Sequence, residues 1–343
     1  MSIPEFVQIQ HDPRSFNNGC VAGAPFGVGE GICLTQSDSE DLPQILIIMD
    51  DFNDISELMR RVRVGMLNVP LYNGNGYVRY SNHMGDENYS LETARMSTLN
   101  ATVTGESVKV DDNFRDMLWR SGHWTPFESL ILSVEIQSPI HIARQVYTYR
   151  TFARNEMSGR YSELPELNYE PVLDEVRYQS KVNKQMAAEV MPVDYAMEFL
   201  QMVRDNHTGS RAAYNKAIKM GVAKEMARIL LPVSQITRYR ITGSLRNWAH
   251  FLDQRTKADA QPQIQELAWG IAAVIKALWP KHYALIEEYT LNSKKLHRTE
   301  LAVIKGLLER GIPTGRLESE LISSGVTGRR LKEVLEVFQA TKD

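Results

Sequence analysis

The sequence predicts an α+β fold in which an antiparallel sheet packs against helices. Leu132, Val134 and Ile136 alternate with polar residues, a pattern typical of a strand with one polar face. Helical periodicity recurs on both sides of this strand. Hydrophobic residues make up 43% of the 343 residues and charged residues 24%, which is ordinary for a globular protein and excludes a disordered or collagen-like chain.

The chain divides into three predicted segments. A central domain over residues 81–294 follows an N-terminal extension, residues 1–80, and precedes a C-terminal helical extension, residues 295–343. The first boundary rests on the turn-forming cluster at residues 73–76, which contains two Asn-Gly pairs. The second extension shows three short helical patterns separated by glycine and proline. The sequence predicts no role for either extension.

The elements of the central domain follow from periodicity and caps. We predict helices over residues 90–99, 112–120, 139–150, 174–220, 222–229, 242–255 and 262–278. Ser138 is the expected N-cap of the third helix, with Pro139 at its first position. Gly221 is the expected break between two later helices.

Charge and cysteine content exclude several classes of protein. The formal net charge is −3, so no overall positive field attracts nucleic acid, and any anion site must be a local cluster. Cys20 and Cys33 cannot build a disulfide framework, and His123 has no metal-spaced partner, so we expect no metal site. No long apolar run or signal peptide is present, so we expect a cytoplasmic protein without a membrane partner.

The first chemistry-bearing segment, residues 144–161, places four arginines around one acid, Glu156. Helical spacing predicts that Arg144 and Thr148 share a face. Arginine forks bind phosphate bidentately, and the Ser158 hydroxyl adds a donor, so the segment indicates a nucleotide-phosphate site. The alternative is a solvated basic helix end that interacts with the helix dipole.

A second segment, residues 246–255, carries Arg246, His250 and Asp253 on one predicted helical face. Trp248 and Phe251 face the other way, toward a core. His250 is a candidate ligand contact, although a lone helix histidine is more often structural.

Ordered motifs in this chain resemble those of the flavin-dependent thymidylate synthases, the ThyX family. Gly-His-x-Thr-Pro-Phe-Glu appears whole at residues 122–128, and Ala-Arg-x-x-Leu-Pro appears at residues 227–232. Residues 246–255 match Arg-x-x-x-His-Phe-Leu-x-x-Arg, and residues 94–97 match an early Ala-Arg-x-Ser. The family signature Arg-His-Arg-x-x-Ser-x-Asn-Glu-x-Ser-x-Arg aligns with residues 148–160. The resemblance spans roughly residues 88–290.

The signature departs from the family at three positions. Its leading arginine is Thr148, its histidine is Tyr149, and its internal serine is Ala153. Losing the arginine removes one charge-assisted contact, whereas the aromatic ring of Tyr149 could still stack on a flavin.

The resemblance implies an enzyme that methylates dUMP at C5 to give dTMP. Methylenetetrahydrofolate would supply the carbon, and FAD reduced by NADPH would supply the hydride. No cysteine nucleophile is implied, which agrees with the position of both cysteines outside the matched region. Family members are homotetramers whose sites combine residues from several subunits.

The resemblance also implies three sets of site residues. The implied catalytic residues are Arg150, Tyr149 and Arg255. The implied FAD contacts are Ser97, His123, Thr125, Arg150, Glu156, Ser244, Arg246 and His250. The implied nucleotide contacts are Gln145, Glu156, Ser158, Gly159, Arg160, Arg228 and Arg255.

Two other functions stay open at this stage. The three departures fall in one signature, which suggests hydroxymethylation, or methylation of another pyrimidine deoxynucleotide, of the kind used in phage-type base modification. A non-catalytic flavin or nucleotide binder is the third hypothesis. Retention of Arg150, Glu156, Ser158, Arg160 and Arg255 argues against it.

Overall fold

The computed structural model describes residues 67–97, 108–181 and 186–293, with positions 318, 319, 322, 323 and 331 further on. The chain divides into two compact units, residues 1–44 and 45–343, and every described residue belongs to the second. The predictions for most of the N-terminal extension and for the C-terminal helices therefore lie outside the described residues.

The centre of the fold is a five-stranded antiparallel sheet. Its strands are β1 Asn68–Leu71, β2 Gly76–Met84, β3 Ile131–Pro139, β4 Ala153–Glu156 and β7 Ile236–Ser244. They lie side by side in the order β1-β2-β3-β7-β4. A separate hairpin pairs β5 Arg177–Gln179 with β6 Ala187–Val190. The alternation predicted for residues 132–136 is confirmed, because burial alternates along β3.

Helices surround this sheet. The α-helices are α1 Tyr89–Arg95, α2 Val108–Arg120, α3 Thr125–Glu128, α4 Ile140–Val146, α5 Val193–Lys219, α6 Lys224–Ala227, α7 Leu245–Arg255, α8 Pro262–Leu278 and α9 Pro280–Ile286. Short 3-10 helices cover Tyr72–Gly74, Leu173–Glu175 and Arg228–Leu230, and a π-helical turn covers Glu287–Leu291. Within the ranges described, none of these helices has both the length and the apolar composition needed to cross a membrane.

The predicted turn cluster joins β1 to β2 as a tight hairpin. Asn73 has φ 55° and Gly74 has φ 85°, the left-handed region that asparagine and glycine tolerate. β2 then pairs with β3, with Tyr77 opposite Gln137. The sheet therefore includes residues on both sides of the boundary drawn at residue 80.

The prediction for the helix over residues 139–150 was wrong at both ends. Ser138 is buried inside β3, where its Oγ donates to the Tyr239 hydroxyl (3.3 Å), and Pro139 is the last residue of that strand. The helix then ends at Val146. Thr148 lies in the following turn, where its Oγ1 donates to the Gln145 carbonyl oxygen (2.7 Å), so Arg144 and Thr148 do not share a helical face.

The predicted helix over residues 174–220 was wrong over about its first two fifths. The β5–β6 hairpin occupies that part, and the helix begins only at Val193. Pro192 explains the start, because its ring fixes φ and pushes the preceding residue toward extended backbone. The backbone N–H of Met191 accordingly bonds to the Val176 carbonyl (2.9 Å). Gly221, with φ 83°, is the predicted break.

Strand β7 was missed over Ile236–Ser244, and its last three residues were assigned to a helix. Tyr239 and Ile241 are buried, whereas Arg238 and Arg240 are exposed, which is the period of a strand. The helix begins one residue after this strand. The Ser244 hydroxyl oxygen accepts from the Asn247 backbone N–H (3.4 Å) and so caps α7.

The core lies between the sheet and α8, whose bounds agree with the prediction at both ends. Ile264, Leu267 and Ile271 of this helix are fully buried. Gly270 faces the β1–β2 hairpin, and a Cβ built there would lie 3.2 Å from a Leu71 methyl and 3.3 Å from a Val78 methyl. The helix can approach the hairpin this closely because position 270 has no side chain.

We expect Gly270→Val to lower the free energy of unfolding by about 1–3 kcal/mol, because the larger side chain overpacks this contact. The measurement is urea unfolding followed by far-UV circular dichroism. Gly209→Ala is the control, since Gly209 lies in the exposed middle of α5 with nothing within 4 Å of a new Cβ. That change should stabilise by about 0.5–1 kcal/mol. Similar destabilisation by both variants would contradict the close contact at Gly270.

Candidate functional site

The polar face of α7 lines a cleft of about 1110 Å³. Arg246, His250 and Asp253 all lie in its wall, which confirms the face predicted from their spacing. Trp248 and Phe251 on the opposite face are fully buried, also as predicted. The helix thus presents polar groups to the cleft because its apolar stripe is anchored in the core.

An ion pair joins two motifs that are far apart in the sequence. Arg246 Nη1 pairs with Glu128 Oε1, and the Arg246 guanidinium carbon lies 5.9 Å from the centre of the Trp124 ring. Trp119 stacks edge-on against Trp124, with ring centres 5.1 Å apart. These contacts bring the Gly122–Glu128 segment against α7, and together they form one side of the cleft.

Tyr149 and Arg255, two residues expected to be catalytic, lie in contact. The Arg255 guanidinium carbon lies 5.3 Å from the centre of the Tyr149 ring. That ring also packs against His250 at 5.9 Å and Phe251 at 5.0 Å between centres. Arg150, the third expected catalytic residue, follows directly and is exposed.

The surroundings of Tyr149 keep its phenol uncharged. Burial raises the pKa of the Tyr149 phenol, and the Arg255 charge offsets part of that rise. The phenol therefore stays protonated at neutral pH. Arg255 Nε is buried and has no hydrogen-bond acceptor among the residues described.

Part of the arginine-rich segment forms an edge strand of the sheet. β4 pairs with β7, with Asn155 opposite Arg240, and all its residues are exposed. Glu156 Oε1 accepts from the Thr237 hydroxyl (2.6 Å). The strand, together with Arg238 and Arg240, borders a second, open groove of about 510 Å³.

Residues expected to bind the nucleotide meet just after this strand. The Ser158 hydroxyl oxygen accepts from the Arg160 backbone N–H (3.2 Å). Gly159 is buried, and a Cβ built there would lie 3.2 Å from Arg228 Cδ. Arg160 Nε pairs with Glu225 Oε2 at 3.1 Å, and Arg228 Nε donates to the Glu225 carbonyl oxygen (3.3 Å).

Sequence reasoning missed Glu225. The residue belongs to α6, 65 positions from Arg160, and no local spacing connects the two. Its place just before the Ala227–Pro232 motif was the available signal.

Gln145, another expected nucleotide contact, is held by a chain of amides. Its Nε2 donates to Gln261 Oε1 (2.7 Å), and Gln261 Nε2 donates in turn to Gln263 Oε1 (2.9 Å). Gln263 is buried and donates to Glu175 Oε1 (2.9 Å). Sequence reasoning missed this relay, in which Gln261 is the residue that orients Gln145.

The remaining expected flavin contacts lie at or beyond the rim of the cleft. Among the described residues, Gly122 and Trp124 line the cleft. Their neighbours His123 and Thr125 do not line it. The Ser97 hydroxyl donates to the Ala94 carbonyl (2.6 Å), and Ser244 caps α7. A flavin role for these four side chains stays a prediction.

Comparison with known proteins identifies the fold. A UMP/dUMP methylase, PolB from Streptomyces cacaoi bound with 5-Br dUMP, superposes with a TM-score of 0.58. It is 23% identical in sequence, and the match covers 63% of this chain and 96% of PolB. The fold is therefore that of a known nucleotide methylase.

Sequence comparison identifies the family. The model named "Thymidylate synthase complementing protein" matches residues 79–281. A flavin-dependent thymidylate synthase from Thermus thermophilus is 37% identical over 272 residues, 79% of this chain and 96% of that protein. The enzyme of that name from Treponema denticola is 32% identical over 256 residues, 73% of this chain and 95% of that protein. The chain belongs to the flavin-dependent thymidylate synthase family, and it is an enzyme of the methyltransferase type.

Phe152, whose ring lies near Tyr149, packs closely against Gly243. A Cβ built on Gly243 would lie 2.2 Å from Cδ1 of Phe152, and that ring is wedged against Trp248 at 4.3 Å and near Tyr149 at 6.2 Å. Gly243→Ala should displace Phe152 and lower the free energy of unfolding by about 1–3 kcal/mol. Urea unfolding measures the change.

The second-site variant Phe152→Leu is the control, because a smaller side chain makes room for the new methyl group. The double variant should be less destabilised than the sum of the two single variants. Strictly additive effects would show that the two side chains do not compete for one space.

Proposed function

We propose that this enzyme methylates dUMP at C5 to give dTMP, with methylenetetrahydrofolate as carbon donor and with FAD and NADPH as the reducing system. One observation carries the proposal. The segment from Tyr149 to Glu156 runs from the α7 cleft, where Thr151 lies in the wall, to the arginine-bordered groove. Ser158 and Arg160 of the proposed phosphate cluster follow shortly after this segment, so ten residues, 151–160, connect a cofactor-sized cleft to that cluster.

The cleft fits a flavin dinucleotide. Its volume of about 1110 Å³ exceeds that of most small-ligand pockets, as an extended dinucleotide requires. Within the cleft, Trp119 and Trp124 offer aromatic surfaces, and Arg120, Arg246 and Lys257 offer positive charge. FAD would supply hydride transfer at this position. The proposed FAD contacts are Ser97, His123, Thr125, Arg150, Glu156, Ser244, Arg246 and His250.

The cluster after β4 fits the phosphate of a nucleotide. Arg160 is paired with Glu225, but their side chains are 59% and 52% exposed. An exposed ion pair contributes only about 0–1 kcal/mol, so a phosphate dianion can displace the carboxylate. Ser158 adds a hydroxyl beside this arginine. The proposed nucleotide contacts are Gln145, Glu156, Ser158, Gly159, Arg160, Arg228 and Arg255.

Tyr149 and Arg255 act on the reacting groups in this proposal. The half-buried ring of Tyr149 packs against His250, a residue of the cleft wall, so in this proposal it orients a bound ring beside that wall. Arg255, whose guanidinium carbon lies 5.3 Å from the centre of the same ring, would offer its charge to an anionic group beside it. Neither residue forms a bond to the pyrimidine, and no cysteine is needed as a nucleophile.

Exposed apolar side chains support association of subunits. On α5, Tyr195, Phe199 and Met202 share one helical face and are 59%, 44% and 58% exposed. Large apolar side chains clustered on a surface are typical of an interaction site. We infer a homotetramer, located in the cytoplasm, in which this helix meets a neighbouring subunit.

The test is product analysis. The protein is incubated with FAD, NADPH and methylenetetrahydrofolate labelled at its methylene carbon, with either dUMP or dCMP, and the nucleotides are identified by mass spectrometry. We expect labelled dTMP from dUMP alone, with no product when FAD is omitted. A hydroxymethylated nucleotide, or a product from dCMP, would support the base-modification hypothesis. Flavin binding without any product would support the non-catalytic hypothesis.

A control experiment tests whether either cysteine acts as a nucleophile. The Cys20→Ser and Cys33→Ser double variant should form product as the parent does. Loss of all turnover in this variant, with FAD still bound, would falsify a mechanism without a cysteine nucleophile.

We expect Arg160→Ala to weaken dUMP binding about 10- to 150-fold, because a charge-assisted hydrogen bond to the phosphate contributes about 1.5–3 kcal/mol. FAD binding should change little. Titration calorimetry measures both affinities. Arg204→Ala is the matched control, since Arg204 forms another exposed pair, with Glu170, at 2.6 Å. Equal weakening of dUMP and FAD by Arg160→Ala would contradict the phosphate assignment.

A further inference from the structure

One wall of the cleft lies beyond the region that the family model matches. The match ends at residue 281, whereas Tyr289 to Ser293 all line the cleft. The first three of these residues belong to the π-helical turn Glu287–Leu291, and the last two follow it. The cleft is therefore completed by a short segment after α9, which we call the C-terminal wall, residues 289–293.

Asp116 connects this wall to α2. The Tyr289 hydroxyl donates to Asp116 Oδ1 (2.5 Å), and Arg120 Nε lies 3.4 Å from Asp116 Oδ2. Tyr289 and Arg120 both line the cleft, while Asp116 does not. One carboxylate thus contacts two cleft residues that belong to separate elements, with one oxygen for each.

The hydrogen bond between Tyr289 and Asp116 can hold the C-terminal wall in place. A π-helical turn is a rare backbone conformation that occurs mostly as a single turn, often at functional sites. Tyr289 and Leu291 pack against the core only as partly buried side chains. A hydrogen bond from a phenol to an ionised carboxylate is among the stronger ones available, so it can hold the turn in one position.

We propose that Asp116 is a positioning residue of the cleft. Through Tyr289 it fixes the C-terminal wall, and through Arg120 it fixes a cation that also lines the cleft. Together these contacts determine how tightly, and for how long, the cleft holds a flavin dinucleotide. The proposal rests on the assignment of the cleft as the flavin site.

The test compares FAD binding in the full-length parent and in Tyr289→Phe. Flavin fluorescence gives the dissociation constant, and dilution of the complex gives the release rate. We expect the dissociation constant to rise about 3- to 30-fold, mainly through faster release. Tyr77→Phe is the matched control, since it also removes a tyrosine–carboxylate bond, to Glu135 Oε1 (2.7 Å), but on the sheet outside the cleft. It should leave FAD affinity unchanged.

Variants of Asp116 separate positioning from general stability. Asp116→Asn keeps an oxygen acceptor for Tyr289, so it should retain more FAD affinity than Asp116→Ala. Adding Tyr289→Phe to Asp116→Ala should weaken binding little further, because the bond is already absent. Thermal unfolding of each flavin-free variant establishes that all are folded at the assay temperature.

The possible results separate the positioning role of Asp116 from the proposed function of the enzyme. Normal FAD affinity and release in Tyr289→Phe and in Asp116→Ala, with only a lower melting temperature, would overturn the positioning role and leave the flavin site intact. Should Tyr289→Phe fail to fold, the comparison of Asp116→Asn with Asp116→Ala decides the question. A parent protein that binds no FAD would overturn the proposed function itself, and the positioning role with it.

Discussion

The antiparallel pairing of β3 with β7 runs from Ile131 opposite Ser244 to Pro139 opposite Ile236, and two of the helices that carry site residues begin where this pairing ends. α7 follows Ser244 and presents its polar face to the cleft. α4 follows Pro139 and leads to Gln145 and Tyr149. A shift of one strand by one residue in this register would turn its buried apolar side chains outward, which costs their burial. The register therefore determines where both halves of the site lie.

Aromatic packing and ion pairs have different roles around the paired strands β3 and β7. Aromatic contacts hold the segment that joins the cleft to the groove. The ring of Phe152 packs against Trp248, and it also lies directly over Gly243, which has no side chain. The cations, in contrast, are held by exposed carboxylates, as in the pair between Arg246 and Glu128. Buried aromatic contacts are strong and exposed ion pairs are weak. The backbone of the site is therefore rigid, while its charged groups remain free to exchange a carboxylate for a ligand.

Local patterns predicted some elements well and others poorly. α8 was predicted at both ends because a proline marks its first turn and apolar residues continue throughout. The β5–β6 hairpin was missed because its strands are short and mostly exposed, so neither shows a clear period of two. The early end of α4 at Val146 was missed for another reason. The ring of Tyr147 packs against Tyr239 on β7 (5.3 Å), a contact that no local spacing reveals.

The sequence by itself determined the family, the motifs and the polar face of α7, because each of these depends on residue identity at fixed local spacing. Only the tertiary structure decided which residues support the site. Glu225 beside Arg160, Gln261 beside Gln145 and Asp116 beside Tyr289 are separated from their partners by 65, 116 and 173 positions. Such contacts form only after the sheet has set the distance between elements. Their physical origin is the packing of the whole domain, and no local pattern of side chains encodes it.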